Sequence, residues 1–305
     1  MIVFTCGDPA GVGPEIIEGW LRANPAGAAS VAVAGPAVWL ATLPACARII
    51  PVDTDVPFVI VPGKPSEEGA RVAWAAMERA AAGCLSGEFD AVVTGPVSKD
   101  WLSRVGYKFP GQTEFFAARW GGEPTMAFSG GKLRVVLLTW HIPLREVPAG
   151  LTPEAFERSI CAADQLARAE GIAAPRIGIC GLNPHAGENG LLGREELDVI
   201  EPILASLRAR FPGLSRCEAS DTIFGRQLRG EFDVVVALYH DQGLAPLKVI
   251  DFDHAVNITL GLNHVRTSPD HGTAFGIAGK GLASGTSFAN AVTLARRLVA
   301  FRSLN

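Results

Sequence analysis

Short apolar runs alternate with longer helical patterns along almost the whole chain, and this alternation limits the folds that the chain can adopt. The run Ile2–Cys6 precedes a glycine-rich loop and a helical pattern in which Pro14 fits the first turn. The run Ala91–Thr94 follows an alanine-rich helical pattern at Glu67–Gly83. Such alternation is typical of βαβ units, whose parallel strands are buried on both faces. The sequence therefore predicts an α/β fold.

One segment departs from this alternation. Two apolar runs within Thr125–Thr139 flank the turn residues Ser129–Lys132, a spacing that predicts an antiparallel hairpin. An antiparallel element inside a parallel scaffold is typical of a dimer contact or a second lobe. Further helices are predicted at Thr152–Glu170, Glu195–Arg210 and Ser287–Arg302.

Length and charge exclude one class of partner. The 305 residues suffice for one large or two ordinary domains and for a substantial core. There are 27 basic and 31 acidic residues, so the net charge is −4. No basic run interleaves with aromatic residues, and nucleic acid is therefore not an expected partner.

Cysteine spacing and hydropathy indicate the compartment. The cysteines form no C-x-x-C pair, so we expect buried thiols in a reducing compartment and not zinc ligands. They are Cys6, Cys46, Cys84, Cys161, Cys180 and Cys217. The first residues lack the basic region of a signal peptide. Prolines and glycines interrupt the one long uncharged stretch, between Arg22 and Arg48, so no membrane span is expected. We expect a soluble, cytoplasmic protein.

Three histidines each follow an apolar run that is short enough to be a buried strand. The runs are 135–138, 177–179 and 234–238, and the histidines are His141, His185 and His240. In open α/β sheets ligands bind beyond the carboxyl ends of the strands, and three imidazoles there would hold a metal ion with one position open. Their spacing matches no local metal motif, and a hydrogen-bonded loop residue is the alternative for each histidine.

Two other loops follow strands. The loop Gly7–Glu15 lacks the G-x-G-x-x-G spacing of a dinucleotide site. It is either a tight turn before a helix or a place where backbone N–H groups meet an anion. The second loop, Thr94–Lys99, follows the run Ala91–Thr94. Its Lys99 either faces an anionic substrate or is an ordinary solvated lysine. Farther along, Thr113 is predicted to cap the helix Phe115–Trp120.

Polar residues become dense after Tyr239. Lys248 and Arg266 are candidates to clamp a phosphate or a carboxylate, and the planar guanidinium suits bidentate contact. Ion pairing with Asp251, Asp253 or Asp270 is the alternative for both.

Ordered motifs from residue 7 to beyond residue 280 resemble one family. GDPAGVGPE, TGPVSK, GQTEFFA, HIPLREV, GLNPHAGENG, YHDQGLAPLK and NITLGLNHVRTSPDHGTA closely resemble the NAD-dependent 4-hydroxythreonine-4-phosphate dehydrogenases of pyridoxal phosphate biosynthesis. The segment from His271 to Gly281 is also similar to the cofactor segment of isocitrate and isopropylmalate dehydrogenases.

The resemblance implies a fold and an assembly. It implies two α/β/α lobes with a cleft between them, in an obligate homodimer whose active site lies at the subunit interface. The first lobe, on the cofactor side, would contain residues 1–124 and 255–305. The second, with the metal ligands and dimer contacts, would contain residues 125–254.

The resemblance also implies roles for individual residues. Metal ligands from both subunits fall on His141, His185 and His240. Substrate contacts fall on Gln112, Thr113, Lys248, Asn257 and Arg266. Cofactor contacts fall on Asp270, His271, Gly272 and Thr273. Asp241 and Lys248 are the expected catalytic residues. The expected cofactors are NAD, with NADP as an alternative, and a divalent zinc, cobalt or magnesium ion.

The chain departs from the family pattern at Gln112. The family typically has G-H-T-E where this chain has G-Q-T-E, and glutamine hydrogen-bonds but carries no proton charge. The expected reaction is oxidation of 4-phosphooxy-L-threonine, a phosphorylated hydroxy amino acid, followed by decarboxylation. A phospho-threonate or phospho-erythronate dehydrogenase, or a non-catalytic phosphometabolite-binding protein, are the alternatives.

Overall fold

The computed structural model describes residues 1–45, 47–52 and 59–304. Contacts between Cα atoms divide the chain into two compact units. The first unit contains Met1–Pro124 and Leu262–Val299, and the second contains Thr125–Gly261 and the residues from 300 onward. The division into lobes 1–124 with 255–305, and 125–254, stays a prediction. The two units divide the chain after Pro124 and again before Leu262, and the residues from 300 onward belong to the second unit.

The strands and helices follow the predicted alternation. The strands are β1 Ile2–Thr5, β2 Val31–Gly35, β3 Arg48–Pro51, β4 Ala91–Thr94, β5 Gly122–Ser129, β6 Arg134–Leu137, β7 Ile177–Cys180, β8 Leu214–Glu218, β9 Val234–Ala237, β10 Val256–Leu262 and β11 Val265–Pro269. The helices are α1 Gly13–Ala23, α2 Pro25–Ala28, α3 Ala37–Leu40, α4 Glu67–Leu85, α5 Lys99–Arg104, α6 Gln112–Trp120, α7 Pro153–Ala169, α8 Glu201–Leu207, α9 Ser220–Leu228, α10 His240–Asp251 and α11 Thr286–Leu304. The predicted α/β fold class is confirmed.

The sheet of the first unit is parallel. Its strand order is β3-β2-β1-β4-β11. At its centre, Phe4 of β1 is fully buried and packs edge-on against Trp20 of α1 and Phe288 of α11, with ring centroids 5.2 and 5.1 Å apart. Every residue of β1, β2 and β4 is buried, which explains why these strands are apolar runs without alternation.

The sheet of the second unit is mixed. Its strand order is β10-β5-β6-β9-β7-β8, with β6, β9, β7 and β8 parallel. Strands β5 and β6 are antiparallel, so the hairpin predicted at Ser129–Lys132 is confirmed. The carboxylate of buried Asp251 accepts hydrogen bonds from the backbone N–H groups of Lys132 and Leu133, both at 2.8 Å. Asp251 therefore holds the hairpin turn.

One predicted helix has nearly the predicted boundaries, and another is irregular. Helix α7 begins at Pro153, close to the predicted start, and the Thr152 hydroxyl caps it by accepting a hydrogen bond from Ala155 N at 3.2 Å. The helix predicted at Glu195–Arg210 is instead a π turn, Glu196–Ile200, followed by α8. Pro202 in the first turn of α8 lacks the N–H that would donate into the preceding turn, which explains the irregularity.

The predicted cap at Thr113 is wrong. Helix α6 begins at Gln112, and Gly111 occupies the N-cap position. The first intrahelical bond runs from Phe115 N to the Gly111 carbonyl at 3.2 Å, so Thr113 lies within the first turn, where it is buried.

The expectation of buried thiols holds for part of the set. Cys6, Cys84 and Cys180 are buried, and burial raises the pKa of Cys180 to about 12. Cys161 and Cys217 are partly exposed, so the expectation is wrong for these two. Cys46 lies outside the described residues. None of the helices in the described ranges is long and apolar enough to cross a bilayer.

Candidate functional site

The carboxyl ends of three neighbouring strands in the second unit bring the predicted histidine segments together. Strand β9 lies between β6 and β7, and Leu137 is level with Ala237 in the register. His141 follows β6 in a loop, as predicted. His185 follows β7 but lies in the short helical segment Pro184–Gly190, whose backbone is left-handed from His185 to Asn189. His240 is not a loop residue, because it begins α10 directly after β9.

Two of the three imidazoles lie beside each other. The ring centroids of His141 and His240 are 5.7 Å apart. A cavity of about 310 Å³ adjoins both rings, and its other walls include Asp241 and the apolar residues Ile142 and Val147. Within the described part of one chain, no group of three histidine, cysteine, aspartate or glutamate residues is arranged to hold a metal ion. The three-histidine site therefore stays a prediction.

A carboxylate lies within hydrogen-bond distance of two of the candidate metal ligands, His240 and His185. The Nδ1 atom of His240 lies 2.7 Å from an Asp241 carboxylate oxygen, and the Nδ1 atom of His185 lies 3.1 Å from a Glu188 carboxylate oxygen. When Nδ1–H donates to the carboxylate, Nε2 keeps its lone pair for a metal ion. The side chains thus have the chemistry that a divalent ion requires.

The segments that contain the predicted site residues also contain the non-glycine residues with positive φ among the described residues. Non-glycine residues with positive φ cost about 1–2 kcal/mol each. Among the described residues they are His141, His185, Ala186, Glu188, Asn189 and Ala274. All but Ala274 lie in the two segments that carry His141 and His185, and Ala274 directly follows the predicted cofactor contacts Asp270–Thr273. Backbone strain of this kind is concentrated at functional sites, where surrounding contacts maintain it.

A buried carboxylate maintains the left-handed turn His185–Asn189. Glu196 is 3% exposed, and its Oε1 atom accepts hydrogen bonds from the N–H groups of Leu182 and Asn183 at 2.8 and 2.7 Å. Its second oxygen accepts from the Asn183 side chain at 3.0 Å. Glu196 therefore fixes the chain just before His185.

In the first unit, Arg266 and Gln112 are in contact. Arg266 on β11 is 4% exposed, and burial lowers its pKa to about 10. Its Nη2 atom lies 3.0 Å from Thr94 Oγ1, 2.9 Å from Ser268 Oγ and 3.2 Å from Gln112 Oε1. The Gln112 amide nitrogen donates to the Gly95 carbonyl at 3.4 Å. Buried Thr113 is the next residue of α6, so three predicted substrate contacts share one region of this unit.

The other two predicted substrate contacts belong to the second unit. Lys248 is on α10, where its ammonium group lies 5.3 Å from the centroid of the Phe252 ring. Asn257 is on β10.

The predicted cofactor segment packs against the glycine-rich loop after β1. The Thr273 carbonyl accepts a hydrogen bond from Val12 N at 2.9 Å, and a Cβ added at Gly11 would lie 2.8 Å from that carbonyl oxygen. A Cβ added at Gly272 would meet nothing within 4 Å in the described part of the chain, so the backbone there is open to a ligand. The Nε2 atom of His271 is buried and has no hydrogen-bond partner among the described residues. These features fit a segment that binds a polar cofactor.

Comparison with known proteins identifies the family. The family model described as pyridoxal phosphate biosynthetic protein PdxA matches residues 27–295. The chain belongs to the PdxA family. A 4-hydroxythreonine-4-phosphate dehydrogenase of Zymomonas mobilis is 43% identical, over 96% of this chain and 94% of that protein. A PdxA-family member is an oxidoreductase of pyridoxine biosynthesis, and the predicted family and enzyme class are confirmed.

Solved structures agree with the PdxA assignment. The crystal structure of a 4-hydroxythreonine-4-phosphate dehydrogenase from Klebsiella pneumoniae is 36% identical, with a TM-score of 0.83 over 98% of this chain and 99% of that one. A terephthalate 1,2-cis-dihydrodiol dehydrogenase from Burkholderia xenovorans is 28% identical, with a TM-score of 0.70 over 97% of both chains. The same fold therefore serves dehydrogenases with different named substrates.

Glu196 and Gln242 of this PdxA-family chain have structural roles that the sequence did not predict. Both side chains bond to backbone groups beside the predicted histidines. A local signal existed only for Gln242, since glutamine at the third position of a helix often reaches back to the residues that precede the helix. Nothing near Glu196 in sequence marks it as buried.

Proposed function

We propose that this PdxA-family dehydrogenase oxidises 4-phosphooxy-L-threonine with NAD and decarboxylates the product to 3-amino-2-oxopropyl phosphate. The observation that carries the proposal is the pairing of His141 and His240 beyond two adjacent strands. It occurs in a chain whose full-length relatives are named as this dehydrogenase. In the oxidation the substrate hydroxyl loses a proton and its carbon loses a hydride to NAD. Loss of CO₂ and uptake of a proton complete the reaction.

We propose that His141, His185 and His240 hold one divalent ion, with ligands supplied from both subunits of a homodimer. Zinc, cobalt or magnesium would supply Lewis-acid chemistry to the oxidation and the decarboxylation. The carboxylates of Asp241 and Glu188 support this assignment, because they leave an Nε2 lone pair on two of the imidazoles.

The remaining residues bind the substrate and move protons. Arg266 is proposed to bind an anionic group of the substrate, because a buried guanidinium gains most from a bound anion. Thr113, Asn257 and Lys248 are proposed as further substrate contacts. Asp241 and Lys248 are the proposed proton carriers.

The segment Asp270–Thr273 is proposed to bind the nicotinamide cofactor. Among the described residues, the backbone at Gly272 is open and the Nε2 atom of His271 has no hydrogen-bond partner, and both features support this role. The cofactor would accept the hydride, while the protein fixes its position and the surrounding field. NAD is the proposed cofactor, and NADP is the alternative.

A spectrophotometric assay of NAD reduction tests the function. Purified protein with Zn²⁺, Co²⁺ or Mg²⁺ should turn over 4-phosphooxy-L-threonine, and His240→Ala should lose most of that activity together with its bound metal. Full metal occupancy in the single alanine variants of all three histidines would refute the metal assignment. No turnover of 4-phosphooxy-L-threonine with any of the three ions would refute the proposed dehydrogenase activity.

A second candidate function is favoured by Gln112. Because Gln112 adds no charge beside Arg266, a substrate with a different anionic pattern fits as well. Phospho-threonate and phospho-erythronate are the substrates to compare in the same assay, and a higher kcat/KM for either one would replace the first assignment.

A further inference from the structure

Hydrogen bonds beyond the ends of the strands single out Gln242. On one side of β9, pairing continues past the strand end. Thr139 donates to the carbonyl of Leu238 through its N–H and through its hydroxyl, at 3.2 and 2.6 Å. These bonds join the chain that leads to His141 with the chain that leads to His240.

On the other side of β9, the side chain of Gln242 makes the corresponding link. Its amide oxygen accepts a hydrogen bond from Leu238 N at 2.6 Å. Its amide nitrogen donates to the Gly181 carbonyl at 2.7 Å and to Ser220 Oγ at 3.0 Å. Ser220 also donates to the Gly181 carbonyl, at 2.8 Å. One amide thus connects the residues after β9, the residues after β7 and the start of α9.

Gly181 in turn contacts the left-handed turn that carries His185. A Cβ added at Gly181 would lie 2.8 Å from Ala186 Cα, so the turn folds back directly over Gly181. Gln242 itself is in the first turn of α10, which begins at His240. Gln242 is therefore linked, by its hydrogen bonds and by the contact at Gly181, to the backbone at both histidines.

We propose that Gln242 is a positioning residue of the metal site, which fixes the backbone positions from which His185 and His240 of one chain project. The proposal rests on the metal-dependent function proposed above. Groups that orient metal ligands without touching the ion typically change metal affinity about 10–100-fold when they are removed. An amide is required because the same side chain must accept from one backbone group and donate to another.

Gln227 provides a matched control in the same unit. Its side-chain amide also donates to two backbone carbonyls, those of Arg134 at 2.9 Å and Asp233 at 3.3 Å. These carbonyls lie at the amino ends of β6 and β9, opposite the histidines. Removing either amide breaks part-buried hydrogen bonds, but only the Gln242 amide lies beside the proposed ligands.

The test compares Gln242→Met with Gln227→Met in full-length, metal-stripped protein titrated with Co²⁺. We expect Gln242→Met to weaken Co²⁺ binding about tenfold or more and to change the visible spectrum of the bound ion. Gln227→Met should lower stability but leave affinity and spectrum as in the wild type. Equal affinities in the wild type and both variants would overturn the positioning role. A wild type that binds no Co²⁺ would overturn the metal-dependent function and, with it, the role of Gln242.

Ser220→Ala gives a second measurement should Gln242→Met not fold. It removes the hydroxyl that bonds to both Gln242 and Gly181 while the main amide link remains. We expect a weaker loss of Co²⁺ affinity in the same direction, and wild-type affinity would contradict the proposal.

Discussion

Replacing Gln112 with histidine should make binding of the phosphorylated substrate depend on pH. The Gln112 amide accepts from Arg266 Nη2 at 3.2 Å and donates to the Gly95 carbonyl at 3.4 Å. A neutral imidazole keeps one acceptor and one donor, so Gln112→His should resemble the wild type at high pH. An imidazolium has donors only, and it adds a positive charge beside Arg266.

Two effects of that charge oppose each other. A charge-assisted bond to the substrate phosphate contributes about 1.5–3 kcal/mol. Repulsion from Arg266 is on the order of 4 kcal/mol for charges ~4 Å apart at an effective dielectric constant of about 20. The repulsion acts in the free protein, where it lowers the pKa of the new histidine below the ordinary value of ~6.5. The bound phosphate raises that pKa again.

The direction of the pH dependence follows from this order of pKa values. The gain in binding is complete below the pKa of the free protein and is lost as the pH rises through the higher pKa of the complex. Because repulsion from Arg266 opposes the gain in binding free energy, we expect that gain to lie near the lower end of the range of about 1.5–3 kcal/mol. The ~4 kcal/mol of repulsion lowers the pKa of the free protein's histidine by about 3 units, and ~1.5–3 kcal/mol of phosphate contact raises it by about 1–2 units in the complex. The KM of Gln112→His relative to wild type should therefore stay nearly constant above pH ~6.5 and fall about fivefold between pH ~7.5 and pH ~4.5, which corresponds to about 1 kcal/mol.

The assay measures KM at both pH values for the wild type, Gln112→His and Gln112→Leu. Protonation of the substrate phosphate, with a pKa of ~6, affects all three proteins and cancels in the ratio. Gln112→Leu removes both hydrogen bonds without adding a titrating group, so its ratio to the wild type should not change with pH. A constant ratio for Gln112→His would show that this side chain does not face the phosphate. A switch to another phospho-acid would show that the position governs substrate choice.

Three further predictions follow from the same geometry. Arg266→Lys should lower kcat/KM about 10- to 100-fold, because the planar fork is lost; unchanged kinetics in Arg266→Ala would exclude its substrate role. Ala186→Gly should raise the free energy of unfolding by about 0.5–1 kcal/mol in urea, since relief of ~1–2 kcal/mol of left-handed strain exceeds the added chain entropy of glycine. The control Ala205→Gly, on an exposed face of α8, should lower the free energy of unfolding by about 1 kcal/mol. A decrease in this free energy of similar size in both variants would argue against strain at Ala186. Mixing inactive His141→Ala with inactive His240→Ala tests which subunit supplies each ligand. Activity returns when the two ligands of a site come from different subunits, and it stays absent when both come from one chain, in which the two rings lie 5.7 Å apart. A fully active monomer at assay concentration would contradict the dimer.

The sequence by itself determined the class of fold and the segments that carry the chemistry. Buried strands, the hairpin at Ser129–Lys132 and the start of α7 near Thr152 depend on residues within a few positions of one another. Patterns of that range are visible in the sequence, because each side chain must match the periodicity of its own strand or helix. The ordered motifs likewise identified the family, which comparison with known proteins then confirmed.

Only the tertiary structure decided how those segments are held. The contact of Arg266 with Gln112 joins residues 154 positions apart, and the bond of Gln242 to Gly181 joins residues 61 positions apart. Both depend on the order of strands in a sheet, which no local pattern records. The left-handed turn His185–Asn189 is strained by itself. It is stable because the buried carboxylate of Glu196 accepts hydrogen bonds from the backbone N–H groups of Leu182 and Asn183, just before the turn. Local propensity disfavours such a conformation, so only long-range contacts determine where it occurs.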